Sequence, residues 1–146
     1  MELDLTQYHS YIKISQSAGK KHLYGIIRKK LLVLQPEELV RQSWIHYLEK
    51  EHSFSLASLA VEKGVKVGKT MRRYDLVYYQ KGTPIMLFEF KSYKEKLTED
   101  TCQQIAQYNL TLKVPYVVIS NGIQSYVFHV DIENHIVNEL TEFPKV

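Results

Sequence analysis

The sequence predicts an α/β fold: a mixed β-sheet with a helix on each face, preceded by an N-terminal β-hairpin. Three observations predict it. Two segments of helical periodicity, over 36–51 and from Thr98 onward, are separated by strand-length runs rich in Val, Leu and Tyr. Ile85–Ser92, IMLFEFKS, is almost continuously apolar, as a strand covered on both faces requires. The order helix, three strands, helix, two strands leaves one helix for each side of the sheet.

In chain order, 23–34 (LYGIIRKKLLVL) holds two apolar runs broken by Arg28-Lys29-Lys30, which predicts strand, charged turn, strand. Pro36 at a first helical position and Glu37 and Glu38 at the positive end of the dipole open a helix. Leu39, Val40, Trp44, Tyr47 and Leu48 follow at helical spacing, so it runs over 36–51. Ser58–Val67 and Arg72–Tyr79 read as two strands, with Gly64 and Gly68 as punctuation. Lys81-Gly82-Thr83-Pro84 turns the chain into the 85–92 strand. Thr98 caps a second helix with Glu99 and Asp100 in its first turn and Cys102, Ile105, Asn109 and Leu112 down one side, ending before Pro115. Tyr116–Ile119 and Ser125–Val130 flank the hairpin signal Asn121-Gly122, and a last strand lies near His135–Leu140.

With 146 residues the chain has the size of one domain. We expect a core over 23–140 and an N-terminal extension over 1–22. Nineteen Lys and Arg against 16 Asp and Glu give +3, a balance that permits nucleic acid without demanding it. Cys102 is the single cysteine, which excludes an internal disulfide and a multi-cysteine zinc site and suits the cytoplasm. MELDLTQYHS does not resemble a secretory signal, and no apolar run of about 18 residues occurs, so no membrane role is expected. Asn109-Leu110-Thr111 matches a glycosylation sequon by coincidence. Gly68-Lys69-Thr70 is no P-loop, because position 63, where the first glycine belongs, is Lys63. The six histidines lack paired ligand spacing, and no Gly-x-Ser-x-Gly elbow exists.

Chemistry concentrates at Asp75, Glu89 and Lys91. Glu89 and Lys91 are two apart in a strand, so their side chains leave the same face. If Lys81-Gly82-Thr83 is a three-residue loop, Gln80 pairs with Pro84, facing residues sum to 164, and Asp75 faces Glu89. Like charges facing one another call for a cation between them. Mg²⁺ takes one or two carboxylates plus waters and phosphate oxygens, and this pair fills that quota. Lys91 then either stabilises charge on a scissile phosphate or orients or deprotonates the attacking water. The bland alternative is an interstrand salt-bridge cluster. Phe88 and Phe90 flank Glu89, and charged groups in so apolar a strand are rarely tolerated without a partner or a task.

Asp75 followed by Glu89-Phe90-Lys91 resembles the PD-(D/E)XK nuclease superfamily. IIRKKLLVLQPEELVRQSWIHYL, AVEKGVKV, RRYDLVYYQKGTPIMLFEFKS and DTCQQIAQYNLTLKVPYVVISNGI together resemble the N-terminal nuclease domain of type I restriction enzyme R subunits, over roughly residues 23–130. The resemblance implies a restriction-endonuclease-like sheet and a Mg²⁺-dependent DNA endonuclease, with Mn²⁺ able to substitute. It implies that Asp75 and Glu89 bind metal, that Lys91 is the catalytic lysine, that Gln104 and Tyr108 form the family's Q-x-x-x-Y element, and that Glu38 is the acid of its first helix. Restriction-modification subunits or a helicase are the implied partners. Tyr74 stands where the motif's proline belongs, and the helicase motor of full R subunits is absent from these residues, so translocation is not intrinsic to them.

Gln104 and Tyr108 share a helix face at i, i+4, where they reach a DNA phosphate or Lys91, or else form an amphipathic edge. Glu38 equally serves the helix dipole, and Glu62 is a possible extra acid by its place in AVEKG. Lys63, Lys66, Lys69, Arg72 and Arg73 form a cationic run upstream of Asp75 that either tracks a DNA backbone or protects an edge strand by charge. Two further readings compete with cleavage: a module on the same fold that binds nucleic acid or a restriction partner without cutting, and a structural cluster at a subunit interface. A homodimer suits cutting of both strands.

Overall fold

The alternating apolar pattern of the strands is realised in two sheets among residues 1–67 and 69–146, which the computed structural model describes. Gly68, expected as punctuation between strands, lies outside the described residues. The smaller sheet is an antiparallel meander of β1 (Ile14–Ser17), β2 (Lys20–Gly25) and β3 (Lys30–Val33). The larger one has six strands in sequence order: β4 (Leu59–Val67), β5 (Thr70–Gln80), β6 (Thr83–Phe90), β7 (Tyr116–Ser120), β8 (Ser125–Asp131) and β9 (Ile136–Leu140). Helix α1 (Pro36–His52) precedes this sheet. Helix α2 (Glu99–Tyr108), continued by a 3₁₀ turn over Asn109–Leu112, lies between β6 and β7. That crossover makes β6 and β7 the parallel pair, while the other described neighbours are antiparallel.

Each helix covers one face. On the α1 side, Val40, Trp44, Ile45 and Leu48 pack on Leu76, Met86, Phe88, Phe90 and Val118. On the α2 side, Cys102 and Ala106 pack on Val117, Ile119, Phe128 and Val130. Val117, Val118 and Ile119 therefore alternate between the two cores, the period of two that a doubly covered strand shows. Trp44 is fully buried against Phe88, ring centroids 5.5 Å apart.

Several expectations are corrected in detail. The hairpin is the second half of the meander, whose β2 begins at Lys20, and its turn is Ile26–Lys29, so Lys30 belongs to β3. The β5–β6 connection is a two-residue loop, not three: Lys81 and Gly82 both have positive φ (49° and 77°), and Gln80 pairs with Thr83. A bulge at Tyr78/Tyr79 then leaves Ile85 without a partner, so that Leu76 faces Phe88 and the sum of 164 is restored. The bulge sits beside Pro84, which has no N–H to give the ladder. Helix α2 is shorter than expected, with Leu112 in the 3₁₀ turn. The Asn121-Gly122 hairpin loop runs over Asn121–Gln124, where Asn121 Oδ1 accepts the N–H groups of Ile123 and Gln124.

Strand β5 outruns β6. It pairs with β6 only from Leu76 to Gln80, but with β4 from Thr70 to Tyr78. The remainder forms a two-stranded ribbon beside the carboxyl end of β6, where Glu89 lies. Among the described residues, no helix is long and apolar enough to cross a membrane.

Candidate active site

Glu89 is the penultimate residue of β6, and strand alternation puts it on the same side as Leu87, the side of α2. Its side chain is 18% exposed, and Oε1 accepts a hydrogen bond from Arg72 Nη2 at 3.1 Å. Burial pushes the Glu89 carboxyl above the usual carboxylate range, with Arg72 and Lys91 opposing the shift and the nearby Asp75 charge adding to it.

Lys91 falls one residue past the end of β6 rather than inside the expected 85–92 strand. Its backbone N–H donates to Ser120 O at 2.9 Å, which holds it beside the end of β7. The lysine charge reaches Glu89 and the buried Cys102 thiol, which burial drives up to about 11.

Asp75 does not face Glu89 as a ladder partner; the β5–β6 pairing ends at Leu76 and Phe88. Its Oδ2 instead accepts the Phe90 N–H at 2.7 Å, so the carboxylate closes the seam between β5 and β6 where the ladder stops. Oδ1 lies 3.8 Å from Arg41 Nη2.

Arg41 of α1 was invisible to sequence reasoning and organises the acids. It is buried, with Nη1 3.0 Å from Glu38 Oε1 and Nη2 3.7 Å from Glu62 Oε1. Glu38, Glu62 and Asp75, from α1, β4 and β5, thus meet around one guanidinium. The available signal was the i, i+3 spacing of Glu38 and Arg41, which says nothing about which arginine turns inward. Gln42 adds a hydrogen bond to Glu38 at 3.2 Å and accepts the Ile26 N–H. Glu62, with a positive φ of 49°, is further bonded by Arg28 and Arg73. The Arg28 hydrogen bond holds its carboxyl below the usual range, with the Arg41 and Arg73 charges adding to the effect.

Arg72 and Arg73 are therefore engaged with acids of the chain, Glu89 and Glu62, rather than forming a free phosphate track. Lys66 on β4 and Lys69 in the ribbon turn are exposed, as is Lys63. Of the Q-x-x-x-Y pair, Gln104 is exposed on α2, and one turn on, Tyr108 sets its ring 4.5 Å from the Arg72 guanidinium. Tyr74, in the place of the motif's proline, is buried and donates to Asn109 Oδ1 at 2.6 Å. That bond ties β5 to the end of α2, and burial pushes the phenol up to about 12. Glu62, Arg73, Tyr74 and Asp75 line an open pocket of about 220 Å³. A larger depression of about 660 Å³, between Glu2 and Asp4 on one side and Tyr93–Lys96 on the other, is lined by neither Glu62 nor Asp75.

Among the described residues, no group of three or more His, Cys, Asp or Glu side chains is placed to hold a metal ion. Asp75 and Glu89 remain as a pair of hard oxygen donors. Such a pair suits a cation that keeps most of its waters, as Mg²⁺ does.

No curated protein matches the chain. The family described as type I restriction enzyme R protein N terminus (HSDR_N) matches residues 36–144. That span contains α1, the whole six-stranded sheet, α2 and the acids Glu38, Glu62, Asp75 and Glu89; the β1–β3 meander, with Arg28 in its second turn, precedes it. The chain belongs to the family of the type I restriction enzyme R protein N terminus.

Proposed function

We propose that this chain is a Mg²⁺-dependent DNA endonuclease domain of the PD-(D/E)XK kind, hydrolysing phosphodiester bonds within a restriction-modification system. The observation that carries the reading is the joint placement of Asp75 and Glu89 at the carboxyl end of β6, tied by the Asp75–Phe90 hydrogen bond, with Lys91 the next residue but one. Asp75 and Glu89 would hold the metal. When bound, it supplies positive charge to the phosphate and acidifies a coordinated water.

The chain's own groups do the rest. Burial of Glu89 lowers the local dielectric and strengthens every charge interaction at that point. The Lys91 ammonium either offsets charge developing on the scissile phosphate or orients the water. Glu38 and Glu62 act on Asp75 through Arg41, and Gln104 lines the same α2 face as Tyr108. The exposed Lys63, Lys66 and Lys69 give the ribbon a positive edge for the DNA backbone. Partners of this reading are DNA, restriction-modification subunits or a helicase, and a second copy for cutting both strands; its setting is the cytoplasm.

The test is supercoiled-plasmid nicking with Mg²⁺ or Mn²⁺ by the wild type and Lys91→Ala, with circular dichroism to check folding. Folded Lys91→Ala is expected to lose at least about 100-fold in rate, the scale of a positioned acid–base or electrostatic group. Full activity in that variant rejects the assignment.

A second reading, a nuclease-fold module that binds without cutting, is favoured by one observation: an arginine already stands against each of the two key carboxylates, Arg41 by Asp75 and Arg72 by Glu89. Salt-sensitive binding of labelled duplex at two ionic strengths, without cleavage under either metal, selects it.

A further inference from the structure

We infer that Arg72 is a resident counter-cation that competes with divalent metal for Glu89, and that Tyr108 holds it in place. The inference rests on the proposed metal role of Asp75 and Glu89 and adds how the chain itself controls that site.

A largely buried carboxylate needs a cation beside it, and Arg72 provides one at 3.1 Å from Glu89 Oε1. The guanidinium lies over the Tyr108 ring at 4.5 Å and the Tyr74 ring at 5.4 Å. Both rings are fixed by the same end of α2: Tyr74 bonds Asn109, which follows Tyr108 in the chain and is itself anchored on Ile105 O. Arg72 is thus placed by an aromatic pair as well as by its acid, with both rings within cation–π range of the guanidinium.

The pose is incompletely satisfied. Arg72 Nη1 is buried and has no hydrogen-bond partner among the described residues. A buried unsatisfied donor of a charged group disfavours the state that contains it. Arg72 also rides on the β4–β5 ribbon, opposite Val65 and beyond the last β5–β6 pair, rather than in the middle of the sheet. Tyr108 is 70% exposed, so DNA arriving at the α2 edge meets the ring that holds the arginine. A guanidinium released from Glu89 has five donors suited to phosphate oxygens.

A permanent structural bridge makes the opposite forecast. If Arg72 merely braces Glu89, removing it disorders the ligand and weakens metal binding; if it competes, removing it strengthens binding. Calorimetric titration of Mn²⁺ into the wild type, Arg72→Gln and Arg72→Lys separates the two, with melting temperatures recorded with and without Mn²⁺. Arg72→Gln is expected to bind Mn²⁺ on the order of tenfold more tightly, the scale of removing one like charge a few ångströms from a divalent ion. It is also expected to gain more melting temperature from Mn²⁺ than the wild type does, while Arg72→Lys stays near the wild type. Tyr108→Ala, which keeps the arginine but unstacks it, is expected to tighten binding in the wild-type background and to add nothing to Arg72→Gln; it carries the test alone if Arg72→Gln fails to fold.

Unchanged or weaker affinity in folded Arg72→Gln and Tyr108→Ala overturns the inference. If wild-type binding is meanwhile abolished by Asp75→Asn, the metal role of the carboxylates stands without it. Mn²⁺ binding to none of the proteins overturns both.

Discussion

At the scale of single residues, the site is a set of carboxylates each matched to a guanidinium, and Arg41 is the one whose removal does most. It is buried, and breaking a buried pair by removing one partner costs about 3–5 kcal/mol. Arg41→Met is therefore expected to lower stability by about 3 kcal/mol in urea unfolding and to leave Asp75 held only by the Phe90 N–H. Glu62 behaves differently because a third of its side chain or more meets solvent. Its folded carboxyl lies below the usual value of 4.5, so it contributes stability above that pH and loses it as pH falls through its lower folded value. Glu62→Gln is expected to narrow its melting-temperature deficit against the wild type between pH 7 and pH 3; a deficit independent of pH rejects the Arg28 and Arg73 pairings. That Asp75 comes close to the end of β6 was legible because hairpin register limits which residues of β5 and β6 meet, whereas Lys91 lies past the strand, where strand parity no longer fixes its side chain. Arg41 was not legible, because helical periodicity places a long side chain on a face without fixing its head group.

At the scale of elements, both helices were readable from their starts. Pro36 with Glu37 and Glu38 opens α1, and Thr98 caps α2 by accepting the Thr101 N–H. The register of β5 against β6 was anticipated through the wrong turn. A two-residue loop and a bulge give the same offset as a three-residue loop, and Pro84, in plain view, did not show which. The β1 strand went unread because Ile14–Ser17 is exposed throughout and so carries no alternating apolar signal. Tyr74 matters at this level as the pin between β5 and α2. Tyr74→Phe keeps the ring and removes the donor to a fully buried Asn109, a loss of about 1–3 kcal/mol. A double-mutant cycle with Asn109→Ala is expected to show coupling of at least about 0.5 kcal/mol; additive effects contradict the pin.

At the scale of the whole molecule, the candidate site lies where the parallel strands β6 and β7 end, with Lys91 following β6. The net charge of +3 conceals an uneven arrangement: Arg28, Arg41, Arg72 and Arg73 are spent on the chain's own acids, while Lys63, Lys66 and Lys69 stay exposed on the ribbon. Replacing those three lysines by Gln is expected to weaken duplex binding and flatten its salt dependence, by a slope of roughly 0.9 for each phosphate no longer neutralised. An unchanged slope places the DNA elsewhere. Composition alone did not reveal this, because a charge count cannot separate a paired arginine from a free lysine.

The central claim, that Asp75 and Glu89 form a metal site serving DNA cleavage, is tested most directly by calorimetric titration of Mg²⁺ and Mn²⁺ into the wild type and Asp75→Asn, with plasmid nicking on the same samples. The account requires wild-type binding and nicking, both lost in Asp75→Asn while the variant stays folded. Absence of binding and nicking in the wild type, or nicking that survives in Asp75→Asn, contradicts it.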